Sequence, residues 1–276
     1  MKLSASWIGI ASLAASAVLL GAARENAQAC FERGRALFGE HDDTGDAIRE
    51  AAASFRRALE LNPRHAASAA YLGLIAAEEQ HWTEAESRYR GALGLDPDCA
   101  EARVGLAHLR LRDGRLDEAR ALLREAVVRR PKNRLALVEL ASVLSGENFR
   151  PTDDTWREAI RCWETLVRLD RNDRDSHYSL AGAYRRFSRW ARAEREYRDV
   201  LRIGQTPDDS DVWVYGVHGE LAEVLEMQGK LREAIAEWRA LAESEGAGEF
   251  EIANARGRIR ELEWRLGSST QTRPHP

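Results

Sequence analysis

Pro63, Pro97 and Pro131 follow one another at intervals of 34 residues, and each closes a similar phrase: SFRRALELNP, RYRGALGLDP and LLREAVVRRP. Self-similarity at a fixed period of about 20–50 residues marks a repeat architecture, in which one supersecondary unit stacks on the next. Such a chain buries its apolar surface between neighbours. It offers extended surface rather than a deep central pocket.

Aligning the chain on the prolines extends the pattern beyond them. One column of small residues runs Gly34, Gly73, Ala107, Ala141, Ala181 and Ala222; a second runs Ala51, Ala85, Ala119, Ala159, Ala193 and Ala234. Small residues at matched positions let two helices of a hairpin approach closely. Large residues are expected to fill the space between hairpins. They form the columns Phe55, Tyr89, Leu123, Trp163, Tyr197, Trp238 and Ile48, Trp82, Leu116, Trp156, Trp190, Leu231. Gly114 and Gly229 fall between the two helices of their units, where a glycine can end a helix in the left-handed conformation.

The small–x(11)–small spacing, the aromatic four residues after the second small residue and the terminal proline resemble the tetratricopeptide repeat family. Six units run from about Asn26 to Ser244; the first and fourth carry extra residues between their helices, and the last three lack the proline. The resemblance implies an all-α fold: a right-handed superhelical solenoid of six helix-turn-helix repeats over residues 25–248. Ile252, Ala255, Ile259, Leu262 and Leu266 alternate by three and four and predict a capping helix over 249–266, with Arg256, Arg258, Arg260, Glu261 and Glu263 covering its remaining faces. The tail 267–276 reads as disordered.

At the amino terminus, Leu3 to Ala23 carry no charge, between Lys2 and Arg24. As a helix this run is about 30 Å long, the thickness of a bilayer's hydrocarbon core. Residues 1–24 therefore read as a transmembrane anchor or as a signal peptide, for which Ala27-Gln28-Ala29 supplies a small-residue cleavage site. If Lys2 stays inside, either reading places the repeats on the extracytoplasmic, periplasmic side, tethered or exported. Cys30 reads as a small buried hydrophobe of the first repeat helix rather than a lipid attachment point, because attachment there would remove that helix's first turns.

Little in the chain points to catalysis. Cys30, Cys99 and Cys162 make no C-x-x-C pair, and no Gly-rich phosphate loop or nucleophile elbow occurs. His177 and His218 share a packing column, with no H-x-x-x-H or nearby acidic set in sequence to complete a metal site. His41 with Asp42, Asp43 and Asp46 reads as a solvated turn. A net charge of −4 argues against nucleic acid as a partner. The expectation is a non-enzyme with no cofactor, no metal and no small-molecule substrate.

The family resemblance implies that the first helix of each repeat lines a concave groove. Carried over, that gives Val104, His108 and Leu111 in the third repeat, Leu135, Val138 and Ser142 in the fourth, Tyr178, Arg185 and Arg186 in the fifth, and Glu223 and Glu226 in the sixth. Together they suit an extended peptide or a helix of a partner protein. The asparagines by which one subclass clamps acidic chaperone tails are missing, since Tyr71, Leu74, Gly105 and His108 stand at such positions. The seven arginines between Arg185 and Arg202 read as a solvated face with internal pairs, or as a contact for an anionic partner. The resulting expectation is a protein-interaction scaffold of a bacterial-type cell envelope, serving assembly or maturation; the alternative is a soluble exported subunit that modulates one partner enzyme.

Overall fold

The structure is a computed structural model and describes residues 26–39, 45–146, 152–204, 214–244 and 246–271. Among these residues every element is a helix. In chain order they are α1 (Ala27–Gly39), α2 (Asp46–Leu61), α3 (Ala66–Glu78), α4 (Trp82–Leu95), α5 (Ala100–Arg112), α6 (Leu116–Arg129), α7 (Arg134–Ser145), α8 (Asp153–Leu169), α9 (Arg174–Arg186), α10 (Trp190–Ile203), α11 (Val214–Met227), α12 (Leu231–Glu243) and α13 (Glu249–Gln271). Consecutive helices pair as hairpins, the arrangement of a helical repeat solenoid. The chain divides into two compact units, Met1–Arg130 and Pro131–Pro276. The first holds the hairpins α1–α2, α3–α4 and α5–α6. The second holds α7–α8, α9–α10 and α11–α12, with α13 packed on α12.

The small columns do what the spacing predicts. Gly34 and Gly73 are buried, and every alanine of both columns is fully buried. A Cβ at Gly34 would lie 2.7 Å from the Phe55 ring, and one at Gly73 2.9 Å from the Tyr89 ring. The column Phe55, Tyr89, Leu123, Trp163, Tyr197, Trp238 is buried throughout. The second large column is not interior. Ile48, Leu116, Trp156, Trp190 and Leu231 are half-buried and Trp82 is exposed. These residues lie in the first turn of their helices, so they sit at the rim of each hairpin. There the Trp82 ring carries the Arg112 guanidinium at 4.1 Å, a cation–π contact that tolerates solvent.

Four hairpins turn through one geometry. Gln80, Gly114, Ser188 and Gly229 all take positive φ. The residue after each donates its N–H to the carbonyl five residues back, as in His81 to Ala76 (2.7 Å) and Arg189 to Tyr184 (2.9 Å). This is the Schellman closure, which satisfies the last carbonyls of a helix. Two of the four positions lack the glycine that would advertise it.

The turns between hairpins explain how the fourth repeat dispenses with proline. Asn62 and Asp96 accept the N–H two residues on, at 3.0 and 2.9 Å, ahead of Pro63 and Pro97 in the turn. Asp170 does the same for Asn172 at 2.9 Å, with Arg171 in the proline's place. The Asx turn carries the geometry that proline only reinforces.

The carboxy-terminal helix departs from expectation. Ala255 and Leu262 are fully buried, with Ile252, Ile259 and Leu266 half-buried, as the apolar spacing requires. However, the helix runs to Gln271, so residues 267–271 are helical rather than disordered. Propagation adds one hydrogen bond per residue fixed, and no proline intervenes before Pro274. Residues 272–276, His41–Asp43 and the proposed anchor or signal 1–24 lie outside the described residues. No helix among the described residues is long and apolar enough to cross a membrane. Cys30 is buried within α1, as read.

Candidate functional site: a cleft on the C-terminal unit

In the second unit, α9, α11 and α13 border an open cleft of about 710 Å³. Arg185 and Arg186 come from the last turn of α9, and Trp190 opens α10. Glu223, Glu226 and Met227 come from α11, Trp238 from α12, and Asn254 and Arg258 from α13. The site is thus built by residues one repeat apart: Glu226 and Met227 occupy in α11 the places that Arg185 and Arg186 occupy in α9.

Its charges are mostly spent internally. Arg185 pairs with Glu223 at 2.6 Å and with Glu220 at 2.9 Å. Glu220 accepts the Tyr197 hydroxyl at 3.0 Å, and the Tyr197 ring meets Tyr178 edge-on with centroids 6.0 Å apart. Arg258 is paired with Glu226 and, at 2.5 Å, with Glu261. Glu226 also accepts the Trp238 indole N–H at 2.7 Å. Arg186 is different. It is exposed, and among the described residues its guanidinium meets the Trp156 ring, 5.2 Å from the centroid, rather than a carboxylate. Beside it, Met227 exposes 61% of its surface. The cleft therefore offers a cation and a flexible apolar side chain on a floor of matched ion pairs.

Of the residues expected in a groove, Arg185, Arg186, Glu223 and Glu226 meet here, and Tyr178 joins them through Tyr197. Leu135, Val138 and Ser142 lie on α7 and do not line the cleft; Leu135 and Ser142 are exposed and Val138 half-buried. In the first unit His108 is exposed and Leu111 half-buried, but Val104 is 3% exposed. Val104 is core, not surface: a branched apolar side chain beside the close-packed Gly105 stays inside. Sequence reasoning missed Met227, Trp238 and Asn254, and it placed Arg258 on the outer cover of the capping helix. The repeat offset from Arg186 to Met227 was the available signal for the first of these; Arg258 had none until α11 supplied Glu226 as its partner.

His177 is buried, and it does have acidic neighbours. They come from the facing helix: Nδ1 lies 2.8 Å from Glu196 Oε2, and Asp199 stands close enough that ligand atoms of the three lie within 4.8 Å of one another. The sixth repeat copies the pair, His218 to Glu237 at 2.7 Å. The other His177 nitrogen lies 3.2 Å from the Arg171 carbonyl. With acceptors at both nitrogens, the protonated ring can clasp α9 to α10 through Glu196 while also meeting the Arg171 carbonyl. The hydrogen bond to Glu196 raises its pKa above the usual 6.5; burial opposes this, and the Arg171 carbonyl assists. A raised folded-state pKa contributes stability that is fully present below the unfolded value and is lost as pH rises through the folded one. Denaturant melts of the second unit are therefore expected to weaken as pH rises above about 6.5, and His177→Gln to flatten that dependence. An unchanged slope in the variant would remove the clasp.

The thiols are equally quiet. All three are buried, and burial pushes Cys99 up to about 12 and Cys162 to about 11, far from thiolate chemistry. On α10, Arg198 pairs with Glu194 and Glu233 at 2.9 and 2.6 Å, Arg202 with Asp199 at 3.1 Å and Arg195 with Glu196 at 3.6 Å. The arginine-rich stretch is largely a face of internal pairs.

Comparison with known proteins agrees with this architecture. The solved structure of YrrB, described as a TPR protein with an unusual peptide-binding site, is similar to the chain with a TM-score of 0.57 at 16% identity, over 75% of this chain and 99% of that one. PilF of Pseudomonas aeruginosa gives 0.58 at 18% identity, over 84% and 96%. Human IFIT1, solved as a dimer with m7Gppp-AAAA, gives 0.52 at 19% identity, over 87% of this chain and 55% of that one. At these identities the likeness is one of fold. No curated protein sequence matches the chain. One tetratricopeptide repeat family model matches residues 76–140, and a second matches residues 40–86 and 154–210. Together they span more than half of the sequence, and with the stacked hairpins they make this chain a tetratricopeptide repeat protein.

Proposed function

We propose that the protein is a non-enzymatic scaffold that holds a segment of a partner protein in the cleft between α9, α11 and α13. The observation that carries this reading is the pairing of exposed Arg186 and Met227 above a rigid, internally neutralised floor. Tetratricopeptide repeat proteins generally mediate protein–protein interaction, and this cleft has the dimensions and mixed chemistry for an extended chain or one face of a helix. An acidic side chain beside an apolar one would satisfy Arg186 and Met227 together. The residues that sequence reasoning would mutate first are poorer probes. Arg185 ties α9 to α11, so its loss disturbs the fold as well as the surface.

Residues 1–24 fit a tether to, or export across, a bacterial-type envelope membrane. A tether would confine partners to the membrane plane and raise their effective concentration. Recovery of a soluble protein beginning after Ala23 or Ala29 would instead favour an exported accessory subunit. To test the cleft, the partner segment is identified by crosslinking in cells, and its affinity is measured against wild type and Arg186→Ala/Met227→Ala. A loss of about 30-fold is expected, equivalent to ~2 kcal/mol of interface energy. Arg192→Ala/Arg195→Ala, on α10, should leave affinity within a few-fold. Loss confined to that second pair would move binding to the arginine face and exclude the cleft.

A further inference from the structure

The outer face of α13 carries two of the most exposed large apolar side chains described. Phe250 exposes 80% of its surface and Trp264 71%. Their positions are ordered. Gly257 lies seven residues from each, so the three share one helix face, drifting only about 20° per seven residues. Ala253, also exposed, stands between Phe250 and Gly257. A Cβ built on Gly257 would meet nothing within 4 Å, so this face is open at its midpoint. The face opposite is spent on the fold, through the fully buried Ala255 and Leu262.

An aromatic–small–aromatic face with equal arms is self-complementary under a two-fold axis. Seven residues of helix rise about 10.5 Å. If a second α13 crosses the first antiparallel at Gly257, Phe250 of each copy reaches the level of Trp264 of the other, twice over. The glycine and alanine at the centre let the helices approach closely enough for both aromatic pairs to close. An isologous contact of this kind requires that residue i meet j and j meet i, and the equal spacing supplies that condition. A heterologous partner would need no such symmetry. Burying four aromatic side chains of about 150–250 Å² each supplies most of the ~1,000 Å² that a specific interface needs.

We infer that α13 is a homodimerisation helix, pairing antiparallel with a second copy of this chain about Gly257. The position on the axis gives a discriminating test. Only a residue at the two-fold meets its own copy, so Gly257→Cys in the full chain should form a disulfide-linked dimer on mild oxidation. Glu118→Cys, on an exposed part of α6, should not. Adding Phe250→Glu/Trp264→Glu to Gly257→Cys should abolish the crosslink. Without any added cysteine, Gly257→Arg should convert a concentration-dependent dimer to monomer in sedimentation, with unchanged helical content because the site is open in the monomer. Crosslinking of Gly257→Cys no greater than that of Glu118→Cys, crosslinking indifferent to the two glutamates, or a monomer at every concentration would overturn the assignment. The last outcome would leave the face to a different protein.

Discussion

Trp163→Ala is expected to destabilise the second unit by about 3–5 kcal/mol, the cost of removing a large aromatic from a packed interior. Trp163 lies on α8 in the column that fills the space between hairpins, 7% exposed, with its ring centroid 6.1 Å from that of Trp156. The two rings meet at 45°, so truncation removes both buried area and an aromatic pair. In a repeat array each hairpin is stabilised by its neighbours, and the loss should therefore spread. Urea titration measures the total, and hydrogen exchange locates it: protection should fall in α8 and also in α9 and α10. A midpoint equal to wild type would mean that the column does not fill the interior.

Gly105→Val is expected to cost about 3 kcal/mol in the first unit, at the upper end for overpacking. The reason is a single close approach. A Cβ at Gly105 would stand 2.2 Å from Cζ of Tyr89 and 2.3 Å from its Cε1. Tyr89 is 1% exposed and cannot swing into solvent. The ring of one hairpin thus rests on the bare backbone of the next, and any side chain at Gly105 must displace it. Shortening the ring makes room, so Gly105→Val with Tyr89→Leu should be less destabilised than the sum of the two single changes. Strict additivity in that cycle would show that the two positions do not touch.

Packing columns were legible in sequence because the repeat period samples each environment several times. A small residue at Ala107 alone says nothing; six in register say that two helices approach there. The same logic failed for Trp82 and its column. Periodicity reports that a position recurs, not whether it faces the interior or the rim. The groove was half legible. Arg185, Arg186, Glu223 and Glu226 do gather at one cleft, because a helix periodicity fixes which residues share a face. Val104 was misplaced by the same rule, since a position on the predicted face can still be covered by its surroundings. The His177–Glu196 clasp was missed because its members come from two helices, and only the matching His218–Glu237 pair hinted that the spacing was meaningful. Arg258 was unreadable for a similar reason: the carboxylate that draws it inward, Glu226, belongs to another helix.

The connections keep a longer time than the packing. In each unit the first hairpin has a lengthened link between its helices. The second turns through a non-glycine residue at positive φ, Gln80 or Ser188, and the third through a glycine, Gly114 or Gly229. Packing is periodic in one hairpin, whereas this sequence of links is periodic in three. An engineer who duplicates or excises a single hairpin would therefore preserve the interior while scrambling the order of turns; a cut made three hairpins at a time preserves both.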